Sequence, residues 1–110
     1  MGENPSSDVV QGTLDMLILK TLEIEPMHGY GISVRIEQMS RNVFRVNAGS
    51  LFVAFKRLQR EGLIKGEWQT SENNRQAKYY SLTARGRKQL EREAKSWHRQ
   101  AAAIAEILKA

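Results

Sequence analysis

Lys56, Arg57 and Arg60 stand close together in the chain, and a second basic pair, Arg75 and Lys78, follows beside Asn73 and Asn74. Arginine and lysine present N–H donors that complement phosphate oxygens and the acceptor atoms on the guanine edge in the major groove of DNA. Serine and asparagine serve base edges as short neutral partners, and apolar side chains meet the thymine methyl group. Asn47 and Ser50 lie just ahead of the first cluster, where Phe52 and Val53 supply the apolar surface. The chemistry these residue types suit is recognition of a duplex nucleic acid by two separate basic elements. A solvated basic face competes with that reading for either element taken alone.

Other chemistries find less support. The two histidines, His28 and His98, are far apart in a chain without cysteine, which argues against a metal site built within one chain and excludes disulfides. Gly29-Tyr30-Gly31 begins like a dinucleotide loop, but Val34 takes the place of the third glycine and no strand is predicted ahead of it. Ser50, in Gly49-Ser50-Leu51, lacks the second glycine and the strand of a nucleophile elbow. The chain reads as a non-enzyme with no cofactor.

The elements that must position the basic residues follow from periodicity. Leu14, Leu17, Ile18, Thr21 and Leu22 recur at helical spacing, with Met16 and Leu19 on another face, so the first helix, 13–23, is apolar nearly all round and needs cover on two sides. A second helix over 29–39 places Tyr30, Ile32, Val34, Ile36 and Met39 along one broad side. After an extended connection at 43–47, a third helix starts near Gly49-Ser50. It turns Leu51, Ala54, Phe55 and Leu58 inward and Val53, Lys56, Arg57 and Arg60 outward, and it stops at Gly62. Residues 63–69 and 78–82 are rich in aromatic and branched side chains and form a β-hairpin whose polar tip spans 70–77. Trp68 is expected to pack within it.

From Thr83, an expected N-cap, one helix runs to Lys109 with Leu90, Ala94, Trp97, Ala101, Ile104 and Leu108 at alternating spacings of four and three. That is a heptad seam. A helix of this size is about 40 Å long, more than its own domain can cover, so a second copy of the chain is the expected partner. Leu14, Leu17 and Ile18 of the first helix are expected to assist the interface. Trp97 could face its symmetry mate and sandwich a planar molecule; simple packing in the seam competes with that role.

Composition sets the frame. The 110 residues carry a net charge of +5, distributed as −4 over residues 1–40, +5 over 41–80 and +4 over 81–110. A basic excess confined to the last two-thirds suits a polyanionic partner for that part. No apolar run exceeds five residues, which excludes a membrane span, and 1–8 lacks the pattern of a secretory signal. The expected organisation is a flexible arm (1–8), a winged-helix DNA-binding domain (9–82) and a dimerisation helix (83–110), in a cytoplasmic protein with no membrane partner.

Helix, helix, helix, hairpin, long helix is the order of a winged helix–turn–helix with an appended dimerisation helix: mainly α, with a small β-hairpin wing. The strings Gln11-Gly12-Thr13-Leu14-Asp15-Met16-Leu17-Ile18-Leu19, His28-Gly29-Tyr30-Gly31-Ile32, Gly49-Ser50-Leu51 and Ser71-Glu72-Asn73-Asn74-Arg75-Gln76-Ala77-Lys78-Tyr79-Tyr80 resemble the PadR family of transcriptional regulators, as do Leu82-Thr83 and Gly86. The likeness runs from about residue 10 to the end, and is greatest to the members with a single short C-terminal helix. It implies a homodimeric repressor with the third helix and wing on DNA and the C-terminal helices paired. In many members a small planar aromatic effector loosens DNA binding. One departure stands out: Phe52-Val53 replaces the family's usual Tyr-Pro, removing a phenolic hydroxyl and a proline that shapes the helix start.

The expected function is sequence-specific binding of double-stranded DNA at a palindromic operator, through Asn47, Ser50, Phe52, Val53, Lys56, Arg57, Arg60, Asn73, Asn74, Arg75 and Lys78. A protein-interaction module, or a DNA-coating protein without an effector, are the alternatives.

Overall fold

The structure, a computed structural model, describes residues 7–8, 11–70 and 72–110. Its elements run β1 (Ser7–Asp8), α1 (Gln11–Ile24), β2 (Met27–His28), α2 (Gly29–Met39), β3 (Phe44–Arg45), α3 (Ala48–Arg60), β4 (Ile64–Thr70), β5 (Gln76–Leu82) and α4 (Ala84–Lys109). The wing, β4 and β5, is joined on its β5 side by β2, giving a three-stranded antiparallel sheet in the order β2-β5-β4. Met27 and His28 pair with Tyr80 and Tyr79, so the segment before α2 is stitched to the wing. The expected flexible arm differs at its end, where Ser7–Asp8 run parallel to Phe44–Arg45. Residues 1–6 lie outside the described residues.

Local chemistry sets the helix limits. The side chains of His28, Asn47 and Thr83 cap α2, α3 and α4 by accepting the backbone N–H groups of Gly31, Ser50 and Gly86 at 3.0, 3.1 and 2.9 Å. Each offsets one of the donors that a helix start leaves without a partner, worth about 1 kcal/mol. Helix α3 ends where Gly62 adopts φ +75°, the left-handed conformation glycine tolerates. Leu63 N–H then reaches back to the Leu58 carbonyl at 2.9 Å and Gly62 N–H to that of Gln59 at 3.0 Å, closing a Schellman turn.

The core is filled by Leu14, Ile18, Leu19 and Leu22 of α1, Ile32 and Ile36 of α2, the inner face of α3, the wing root at Leu63, Ile64 and Tyr80, and Leu90 of α4. On α3 the residues expected to point inward, Leu51, Ala54, Phe55 and Leu58, are the buried ones. Phe55 stacks on Tyr80 with ring centroids 4.2 Å apart, which fixes the wing root against α3. On α2 the broad apolar side narrows to Ile32 and Ile36, because Tyr30 is 77% and Met39 53% exposed. Trp68 is likewise 67% exposed and packs in no core, a correction to its expected role.

Wing root, α3 and α4 meet at one junction. Thr83 donates its hydroxyl to the carbonyls of Gly62 (2.8 Å) and Leu63 (3.0 Å), while its backbone N–H donates to Leu63 at 3.2 Å. Gly86, one turn on, is buried against the Leu63 backbone and the Leu82 side chain. Further along α1, Glu23 bridges Lys20 at 2.8 Å and Arg87 of α4 at 3.5 Å, and the hydrogen bond from Lys20 holds the Glu23 carboxyl below its ordinary pKa.

Candidate nucleic-acid interface

Two exposed surfaces have side chains arranged for binding. The first is built on α3. Phe52 and Val53 are each 56% exposed, and Lys56 and Arg60 are exposed beside them, so one outward face presents apolar and cationic groups together. Lys56 Nζ lies 4.7 Å from the centre of the Phe52 ring, a cation–π contact that steadies the ammonium without neutralising it. Asn47 and Ser50 sit at the start of the helix, exposed, with the Asn47 carbonyl oxygen already engaged as the cap. The amide N–H₂ of Asn47 keeps its donors.

The wing supplies the second arm. Its strands are longer than expected, with Thr70 paired to Gln76 at the tip and the Gln76 amide donating to the Thr70 hydroxyl at 3.2 Å. Asn73, Asn74 and Arg75 are exposed in the turn, where Asn74 adopts φ +58°. Ser71 lies outside the described residues. Lys78 folds over Gly66, whose missing Cβ would stand 2.7 Å from the lysine Cε, and its ammonium rests 5.9 Å from the Tyr80 ring centre. Between α3 and the wing opens a concavity of about 700 Å³ that gathers Phe52, Asn73, Arg75 and Lys78 with Tyr30 of α2. Val53, Lys56 and Arg60 continue along α3 outside it.

Arg57 corrects the sequence reading. Its guanidinium makes a two-pronged ion pair with Asp15 of α1, through Nε to Oδ2 at 3.2 Å and through Nη2 to Oδ1, and both side chains are only 21% exposed. The hydrogen bond to Asp15 raises the Arg57 pKa further. Arg57 therefore fastens α3 to α1 and does not stand on the outward face. Loss of either partner leaves a half-buried charge, so Arg57→Ala and Asp15→Ala should each lower stability by about 1–2 kcal/mol, and the double variant by little more. Denaturant unfolding of the three variants checks this, and additive losses would mean that the two side chains do not interact.

The second surface belongs to α4. Leu14, Ile18 and Leu90, assigned from the sequence to a subunit interface, are 3%, 0% and 5% exposed within the protomer, so the first turns of α4 and the inner side of α1 form the chain's own core. Leu17 and Ala94 are half-buried. Beyond them the seam is open: Trp97 is 47%, Ile104 55% and Leu108 78% exposed, with Ala101 half-buried between. Met16, Leu17, Phe44, Leu90, Ala94 and Trp97 line a groove of about 730 Å³ between α1 and α4, with His98 set edge-on against Trp97 at 5.4 Å. Among the described residues no cluster of His, Asp or Glu could hold a metal ion. No described helix is long and apolar enough to cross a membrane.

Three helices, the third with its outward face open, followed by an antiparallel wing define a winged helix–turn–helix protein. The chain belongs to the PadR-like family of transcriptional regulators, whose family model matches residues 18–92. It is similar to uncharacterized protein X of Lysinibacillus sphaericus, 30% identical over 91 residues, which span 83% of this chain and 84% of the relative. Among solved structures it resembles a PadR-like transcriptional regulator from Bacillus cereus at TM-score 0.79 and 29% identity, covering 91% of this chain and 95% of that one. A transcriptional regulator from Clostridium thermocellum matches at TM-score 0.79 and 27% identity over 87% of this chain and 90% of its own. The function at this level is DNA-binding regulation of transcription.

Proposed function

We propose that the chain acts as a homodimeric repressor, pairing through the open half of α4 and presenting two α3 helices to a roughly palindromic operator. The observation that carries this reading is the division of the protomer into a basic face, on α3 and the wing, and an apolar strip on α4 that none of the described residues covers. Two-fold pairing along that strip would set the recognition helices about 34 Å apart, one turn of DNA, so that both enter the major groove on one side of the duplex. Lys56 and Arg60 then read bases or phosphates from the major groove, while Arg75 and Lys78 reach the neighbouring minor groove from the wing. A dimer seated over a promoter represses by occupying it.

Pairing also places the α1–α4 groove and Trp97 near the two-fold axis. A small planar aromatic molecule held there would press on α1 and, through Asp15 and Arg57, on α3. That is the expected release signal.

The test is binding of the purified protein to duplex DNA from beside its own coding region over a salt series. If about six to ten phosphates are neutralised, log Kobs should fall against log salt with a slope of about −5 to −9. A flat response would remove the reading. Equal affinity for random duplex would reduce it to DNA coating.

A further inference from the structure

In a winged-helix complex the recognition helix occupies the major groove and the wing the adjacent minor groove, so the sugar–phosphate strand that divides the two grooves must cross the space between those elements. Here that space is the concavity bounded by α2, α3 and the wing. We propose that it seats this strand and that Tyr30 is a DNA-contacting residue, its hydroxyl donating to a backbone phosphate. The inference rests on the DNA-binding reading above and names a contact that the basic residues do not supply.

Three observations carry it. Tyr30 is 77% exposed, and among the described residues its hydroxyl has no hydrogen-bond partner, while its ring lies beside that of His28. His28 stacks on that ring at 6.4 Å with an interplanar angle of 14°, and is itself anchored because its Nδ1 accepts the Gly31 N–H. Gly29 brings the turn against α3: a Cβ there would stand 3.1 Å from the Phe55 ring, closer than an ordinary van der Waals contact.

The second observation is electrostatic. The lining includes Arg75, Lys78, Ser33 and Asn73 and contains no aspartate or glutamate, the composition a phosphodiester requires. The third concerns the remaining aromatic residues of the same wall. Phe52 and Phe55 have no hydroxyl, and Tyr80 is 6% exposed beneath the Phe55 ring, which leaves Tyr30 as the wall's exposed phenol.

A phosphate contact has a signature distinct from base recognition. Because the donor is neutral and the acceptor is common to all sequences, its loss should weaken operator and random DNA alike and leave the salt slope unchanged. Tyr30→Phe removes the hydroxyl alone from an exposed position, and its melting temperature should match the wild type. Affinity should fall roughly five-fold for each protomer engaged, the effect of one hydrogen bond, and by the square of that for a two-fold complex.

Wild type, Tyr30→Phe and Lys56→Ala are to be titrated with operator and with random duplex of the same length at several salt concentrations. Equal binding by wild type and Tyr30→Phe, with Lys56→Ala weakened, would overturn the Tyr30 contact and leave the DNA reading standing. A loss confined to operator would make Tyr30 a base reader and overturn the phosphate assignment. Failure of the wild type to bind either duplex would remove both readings.

Discussion

Gly86→Ala should unfold the protein at lower denaturant, with a loss of about 3 kcal/mol from overpacking, although alanine is the better helix former by about 1 kcal/mol. The two effects have opposite signs, and the geometry decides between them. A Cβ on Gly86 would lie 2.0 Å from the backbone oxygen of Leu63 and 2.7 Å from Leu82 Cδ1. The first of these is main chain held in the wing root, so it cannot swing aside as a side-chain end would. Helix α4 must back away, and with it go the Thr83 cap and the three hydrogen bonds that Thr83 makes to Gly62 and Leu63. Urea unfolding and thermal melting measure the loss. An unchanged or raised midpoint would show that α4 does not start against the wing root.

The second large effect concerns assembly. Ile104→Glu combined with Leu108→Glu should leave the melting of the isolated protomer nearly unchanged, because both side chains are exposed there, 55% and 78%. In a seam the same pair would bury four like charges in a dimer, and each uncompensated charge costs several kcal/mol on transfer from water. Subunit dissociation should therefore strengthen by at least about 1000-fold. Operator affinity should fall with it, since a half-site contributes only part of the binding free energy of the whole. Sedimentation or light scattering across a concentration series checks the first part and gel shift the second. A variant that stays dimeric would move the interface elsewhere on the surface.

Much of the architecture could be read from residue patterns, because each element is specified locally. Thr83, Gly62 and the inward set Leu51, Ala54, Phe55 and Leu58 carry their instructions within one or two turns, and the structure agrees at each. What periodicity cannot report is which neighbour covers an apolar stripe. Leu90 and Ile104 occupy equivalent heptad positions, yet Leu90 is 5% exposed and Ile104 55%, because α1 reaches only the first turns of α4.

The same limit applies to charge. Lys56 and Arg57 are neighbours in the sequence of α3, and only the approach of Asp15, 42 residues earlier, separates a surface cation from a structural one. Tyr30 is apolar enough to count with the broad side of α2, yet its position two residues from buried Ile32 turns it about 200° away. Its place beside the wing depends on the β2–β5 pairing, which two residues of strand are too short to announce.

The junction at Thr83 has a mechanical outcome. Since the root of the wing and the head of α4 are tied through Gly62, Leu63 and Thr83, they would turn together as one crank. In a pair of subunits, a change in the angle at which the two long helices cross would move the wing tips with it, opening or closing them like the jaws of a calliper. Half-site spacing would then be gauged at the tips and set at the crossing.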